Sequence, residues 1–438
     1  MPVHSLASLF GNITTSQLVI GAITFALVIF VKAWAGGRKC TWERDWKGKM
    51  ILVVASPTPT TITLIDTLLH LPSPPQILFL TDVEKPLPES LLTLLHTIKL
   101  SAITSNPAAQ LHCESLPLTP LAIREFVTKW NSSPTQMVGE SGRRIDSIIL
   151  GKGWEVNPLN MLSSNNNDKN KGITKWKIEE FKFHFLTSLL PLLLRSPPER
   201  DIRIIQLISP TWSSALPSLS NLTAPEDQKK KKKKIRKDDL VNTTGRKNLN
   251  SLLLFKHFQL ILDTLEAAQR GKIKPVPNPD NTLSSSTTTS GETINLKSRD
   301  KDVKSNVKSI SVIMPWARNE VLKGSLVSSP TSRLSWILFY PLIILFTPSP
   351  KSSVQSILFA LSAPVRKGDI DETLKVADQG KEVEDQRRNA VAGGDVVRDC
   401  AVVEMPPVLS DPLLAKALYD QLEKDVEQGV KLSQGKPT

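Results

Sequence analysis

Between residues 50 and 315, continuous apolar runs alternate with longer stretches of helical periodicity, and this alternation restricts the fold more than any other feature. The strand-like runs are KMILVVA, QILFLTD (Gln76–Asp82), RRIDSIILG (Arg143–Gly151), IRIIQLIS (Ile202–Ser209) and SISVIMP (Ser309–Pro315). Between them lie ITLIDTLLH, PESLLTLLHTI, IREFVTKW, EEFKFHFLTSLLPLLLRS and LNSLLLFKHFQLILDTLEAAQR, all with helical spacing. Strands without polar alternation need cover on both faces, which a parallel sheet layered by helices provides. One such run alone could be buried helix; their repeated pairing with helices predicts an α/β, doubly wound parallel sheet.

Residues 5 to 31 carry no charge, and Leu18–Val31 is apolar except for Thr24. Counted over 17–35, the stretch just reaches the roughly 20 residues that span a bilayer. Small residues at Ala33 and Ala35 allow a cleaved signal peptide as the competing reading. The amino-terminal flank lacks Lys and Arg, however, and the apolar run is long for a signal. Lys32, Arg38, Lys39 and Arg44 follow the segment, so the positive-inside rule predicts a retained anchor with the bulk of the chain cytosolic. The sequons at Asn131, Asn221 and Asn242 then stay unglycosylated. Cys40, Cys113 and Cys400 are widely separated, which suits a reducing compartment and not a disulfide framework.

The body is expected over 36–365, behind a tail at 1–16. Polar insertions at about 157–172, 217–248 and 275–308 have too little apolar content to offset their ordering entropy and are expected to be disordered. A polar linker is expected over 366–410 and a carboxy-terminal amphipathic helix over 411–432. Asp411 and Pro412 there suit the N-cap and N1 positions. Leu414, Leu418, Leu422 and Val426 form a stripe that packs on the body or on a partner.

The element order, led by AGGRKCTWERDWKGKMILVV, resembles the short-chain dehydrogenase/reductase family, especially its membrane-anchored retinol-dehydrogenase-like and fungal branch. TDVEK, LHCESL, IREFV, FLTSLLPLLL, RIIQLIS, IMP and SPKSSVQSILFALSAP continue the resemblance in order over about 36–365. It implies a Rossmann-like domain binding NAD(P), with cofactor positions at Ala55, Thr58, Pro59, Thr61 and Asp82. The family's three phosphate-loop glycines fall on Ala55, Pro59 and Thr61. Glycine there permits the tight turn, the approach to pyrophosphate and close helix–strand packing. Pro57 and Pro59 have no N–H to offer an anion.

The catalytic positions are equally altered. The family's Asn-Asn-Ala-Gly run corresponds to Leu150–Gly153, and its helical asparagine falls near Glu179. Ser209 matches the substrate-holding serine and Lys256 the lysine, but the tyrosine position is Leu252. A leucine moves no proton, and losing a positioned acid/base typically costs about 10²–10⁴-fold in rate. The Pro-Gly pair after the sixth strand is Pro315–Trp316.

Six histidines show no paired metal spacing, and no Gly-x-Ser-x-Gly, phosphate-loop or zinc motif occurs, so no metal is expected. The net charge of +13 is concentrated in part at Lys229–Lys234. That run is a solvated tract, a site for anionic lipid headgroups, or a non-specific phosphate binder. Beside an anchor, lipid is the better partner and nucleic acid the weaker one. Ser335–Phe346 is too short to span a bilayer and is either buried or a lid dipping into lipid. The expectation is a non-catalytic binding or scaffold protein in lipid-related processes, at the endoplasmic reticulum or a lipid-droplet surface. An apolar, lipid-like ligand is possible and no cofactor is expected. The alternative is an active NAD(P)(H)-dependent oxidoreductase on a lipid-like alcohol or ketone.

Overall fold

Each apolar run becomes a strand whose side chains are buried on both faces. These are β1 (Met50–Val54), β2 (Gln76–Thr81), β4 (Ser147–Leu150), β5 (Ile202–Ile208) and β6 (Val307–Ile313), with β3 (Gln110–Ser115) outside β2. The computed structural model describes residues 15–132, 144–154, 176–197, 199–217, 240–269, 305–318, 340–341, 344–366 and 388–434. The strands form one sheet in the order β3-β2-β1-β4-β5-β6-β7-β8, with β7 (Val396–Arg398) and β8 (Ala401–Val403) at its edge. All pairings are parallel except β7 with β8. The order 3-2-1-4-5-6 is that of the doubly wound dinucleotide fold, whose ligand crevice opens where the order reverses, between β1 and β4.

Helices α2 (Pro59–Leu69), α3 (Glu89–Ser105) and α7 (Pro350–Ser362) flank one face, burying Leu64, Leu68, Leu95, Ile357 and Phe359 over Val53 and Ile149. On the other face lie α4 (Pro120–Ser132), α5 (Ile178–Leu194) and α6 (Leu240–Gln269). There Ile123, Phe126, Phe185, Leu189, Phe255 and Phe258 pack on Leu52, Ile148 and Ile204. Proline at N1 behind a hydroxyl N-cap starts both α2 (Thr58) and α7 (Ser349), because proline's missing donor costs nothing in a first turn. The carboxy-terminal helix α8 (Pro412–Gln434) settles the open question about its stripe. Leu422 and Val426 are buried against Phe183 and Leu254, and Leu414 and Leu418 pack beside Leu252, all within this chain.

Three expected boundaries need correction. The insertion expected over 217–248 ends earlier, since α6 begins at Leu240 and Asn248 is buried. Polar residues there hid a helix because their side chains bond inside the fold. Within the expected linker, residues 388–410 hold the β7–β8 hairpin, whose strands are too short to register as periodic runs. Likewise 305–308 enter β6. The insertion at 157–172, the lysine run and 275–304 lie outside the described residues, as does 335–339 of the expected lid.

The expected anchor falls on helix α1 (Thr15–Ala35), 21 residues long, with Val19 to Phe30 exposed. Among the described residues no helix is long and apolar enough to cross a membrane.

Candidate functional site: the β1–β4 crevice

The chain leaves β1 at Val54 and turns into α2 through Ala55, Ser56, Pro57 and Thr58. Four backbone donors in and just after this turn are already engaged. Ala55 N–H donates to Leu80 O (3.1 Å) and Thr58 N–H to Ser56 O (2.8 Å). Thr61 N–H donates to the Thr58 hydroxyl (3.2 Å), and Ile62 N–H to Thr58 O (2.9 Å). Thr58 and Thr61 also join hydroxyl to hydroxyl at 3.0 Å, both buried. The threonines at the expected phosphate positions therefore cap the helix.

From the opposite strand, Lys152 reaches across the crevice. Its ammonium donates to Ser56 Oγ (2.7 Å) and forms an ion pair with Asp82, at the end of β2. Asp82 is where a dinucleotide fold presents an acid to the ribose; here a lysine from β4's end already holds it. Next to Lys152, Trp154 is buried beside Ala55, Thr60 and Thr61, and the void they line with Ile357 holds about 10 Å³, room for one water. Gly151 is required by the same crowding: a Cβ there would stand 2.8 Å from Ala55 Cβ. A dinucleotide needs free amides, an unpaired acid and open space at this crest. These residues do not fit one.

The residues at the expected catalytic positions each have contacts of their own. Ser209 is fully buried; its hydroxyl accepts from Thr211 N–H (3.4 Å) at the start of the 3-10 helix Pro210–Ala215. Its own N–H donates to Asn248 Oδ1 (2.9 Å), and Asn248 in turn donates to Thr244 O (3.0 Å). Leu252, one turn further along α6, is buried with Ile208, Ala215 and Ile313, so no proton donor stands in the tyrosine position. Lys256 lies beyond, with its ammonium 3.5 Å from Leu409 O. Burial holds its pKa below the ordinary lysine value, with Asp395 opposing. Glu179 sits in the first turn of α5. Burial raises its carboxyl pKa against the pull of Lys247, Lys182 and Lys177, and Oε1 has no hydrogen-bond partner.

Lys152, Trp154 and Asn248 are the residues that sequence reasoning missed. Lys152 stands at the alanine of the family's Asn-Asn-Ala-Gly run; a lysine two residues past a central strand is the signal that could have found it. Among the described residues no cluster of three potential metal ligands occurs.

No family model matches the sequence. A Saccharomyces cerevisiae protein named uncharacterized oxidoreductase YNL181W is 24% identical over 412 residues, covering 91% of this chain and 84% of its own. The Schizosaccharomyces pombe uncharacterized oxidoreductase pbr1 is 24% identical over 194 residues, 43% of this chain and 46% of its own. Short-chain dehydrogenase/reductases are among the structural neighbours. One, L-sorbose reductase from Gluconobacter frateurii complexed with NADPH and L-sorbose, has a TM-score of 0.37 and 11% identity. The match covers 73% of this chain and 91% of that one.

Proposed function

We propose that this chain is a short-chain-dehydrogenase-like protein of the oxidoreductase kind that has given up dinucleotide chemistry at its crest. On this proposal it acts as a binding or scaffold protein in lipid-related processes. The observation that carries the proposal is Lys152, bound to both Ser56 and Asp82 across the crevice. A cofactor entering there would have to break an ion pair, displace Trp154 and find amides in a turn whose prolines have none. Leu252 in the tyrosine position argues the same way, since its side chain cannot protonate a carbonyl oxygen. We propose further that α1 anchors the chain, with its body on the cytosolic face of the endoplasmic reticulum or of a lipid droplet. The charge-free run through Val31 and the basic residues after it support this. Lys229–Lys234 would add affinity for anionic headgroups at about 1 kcal/mol per basic residue.

Titration of the full-length protein with NADPH and NADH tests the central claim. No saturable binding up to about 1 mM is expected; a dissociation constant near 1 μM, some four kcal/mol stronger, overturns it. The names of the two relatives favour a second reading, an active NAD(P)(H)-dependent oxidoreductase on a lipid-like alcohol or ketone. Turnover of a long-chain ketone or alcohol that Ser209→Ala abolishes would establish it. Turnover indifferent to that change would remove Ser209 from the chemistry.

A further inference from the structure

At the β6 edge of the sheet, away from the β1–β4 crevice, a cavity of about 270 Å³ opens between α6 and the β7–β8 hairpin. Its walls combine two chemistries. Val396, Val402, Val403 and Met405 supply apolar surface, and Lys256, Arg366 and Asp395 supply charge. Arg366 and Asp395 form an ion pair (3.1 Å), and the same Asp395 carboxylate accepts from Ala392 N–H (2.8 Å). That pair is neutral as a unit. Glu404 stands at the exposed rim, where solvent screens it. Among the described residues no carboxylate is within ion-pair distance of Lys256: its ammonium contacts the Leu409 carbonyl at 3.5 Å, at the long limit of a hydrogen bond. An ammonium has three donors, so this one has capacity to spare in a half-buried setting where a charge-assisted bond is strong.

We propose that this cavity binds a small monocarboxylate with a short aliphatic tail, the carboxylate on Lys256 and the tail against Val396, Val402, Val403 and Met405. A dianion such as a phosphate monoester suits it less, since a single cation would face two charges with Asp395 close by. A neutral apolar molecule would leave the ammonium desolvated and unpaired. The site is independent of the crevice: it uses the Rossmann edge strands and asks nothing of Ala55, Lys152 or Asp82. Binding a carboxylate would also return the Lys256 pKa toward its ordinary value, because the anion replaces solvation that burial removed.

The test uses the full-length chain in phospholipid nanodiscs, titrated with carboxyl-labelled hexanoate and read by NMR against empty nanodiscs. Saturable binding in the range of about 1 mM or tighter is expected for a ligand of this size. Lys256→Met should weaken it about tenfold or more, the equivalent of one charge-assisted bond. Val403→Trp should abolish it by filling the cavity while leaving Lys256 in place, and hexan-1-ol should bind more weakly than hexanoate. A wild-type chain without saturable binding, or a Lys256→Met chain that binds hexanoate as well as wild type, overturns the proposal. Circular dichroism of both variants separates loss of the site from loss of the fold. An NADPH titration run in parallel bears only on the crevice, so the two proposals fail separately.

Discussion

Gly151 and Glu179 are each explained by a single neighbour relation. Gly151 lies where β4 passes the turn after β1, and its N–H donates to Val54 O at 2.8 Å. A methyl group there would press on Ala55 from 2.8 Å, and neither backbone can retreat from a central strand position. Gly151→Ala is therefore expected to lower the unfolding free energy by about 1–3 kcal/mol, the usual cost of overpacking. Ala55→Gly in the same chain removes the opposing methyl group and should recover most of that loss. Denaturant melts of the two single variants and the double variant check the coupling. At Glu179 the issue is charge. Its folded pKa is raised above the ordinary 4.5 by burial, so the native state is favoured while the carboxyl is protonated. That contribution is complete below about pH 4.5 and disappears as pH climbs through the higher folded value. Glu179→Gln should accordingly be more stable than wild type at pH 7, with the difference closing toward pH 4.5, as chemical denaturation at several pH values will show. The altered residue types at the crest were legible in the sequence, because proline and leucine exclude specific chemistry. How these residues contact one another was not, because Lys152 meets Ser56 and Asp82 only once three strand ends are brought together.

Elements were legible in proportion to how continuous their apolar runs are. β1, β2, β4, β5 and β6 each bury nearly every residue, so their composition alone marks them. β7 and β8 have three residues each, below the length at which periodicity exists, and they were read as linker. The start of α6 was missed for a different reason. Asn248 and Ser251 are polar yet buried; Asn248 binds the Ser209 N–H, and the Ser251 carbonyl accepts from Gln206. A polar residue used to tie a helix to a strand looks, in sequence, like a residue facing water. The stripe on α8 shows the opposite case, where spacing four was visible but its partner was not. Leu422 is buried with Phe183, Leu254 and Val426. Leu422→Ala should therefore cost about 2–5 kcal/mol through lost burial and the cavity left behind. A shift of the same size to an exposed position of the same helix, Leu413→Ala, should change stability by less than about 0.5 kcal/mol. Urea melts of the two variants distinguish intrachain packing of α8 from a face reserved for a partner.

For the molecule as a whole, the question is how a folded sheet and an apolar leading helix divide the work. The body has its own cores on both faces of the sheet, and among the described residues neither includes a side chain of α1. The eight large apolar residues of α1 from Val19 to Phe30 are 44% to 72% exposed, so the helix has apolar surface that the body leaves uncovered. Contacts with the body begin just after it. Ser352 donates to Gly36 O, Cys400 Sγ to Arg38 O (3.4 Å), and Cys40 N–H to Gln355 Oε1 (3.1 Å). Arg44 then closes onto the base of the sheet, bonding Leu361 O and Asp201 O at 3.1 Å each. From Gly36 to Arg44 the chain is thus tied to the folded unit. On the anchored proposal this division has a direct consequence. Removal of residues 1–35 should move the protein from the membrane pellet to the supernatant, with a urea midpoint close to that of the full chain because no core contact is lost. Retention in the pellet with an intact fold would place membrane affinity elsewhere, as in the lysine run. Collapse of the midpoint would instead mean that α1 packs against this chain, and the anchor proposal would fall.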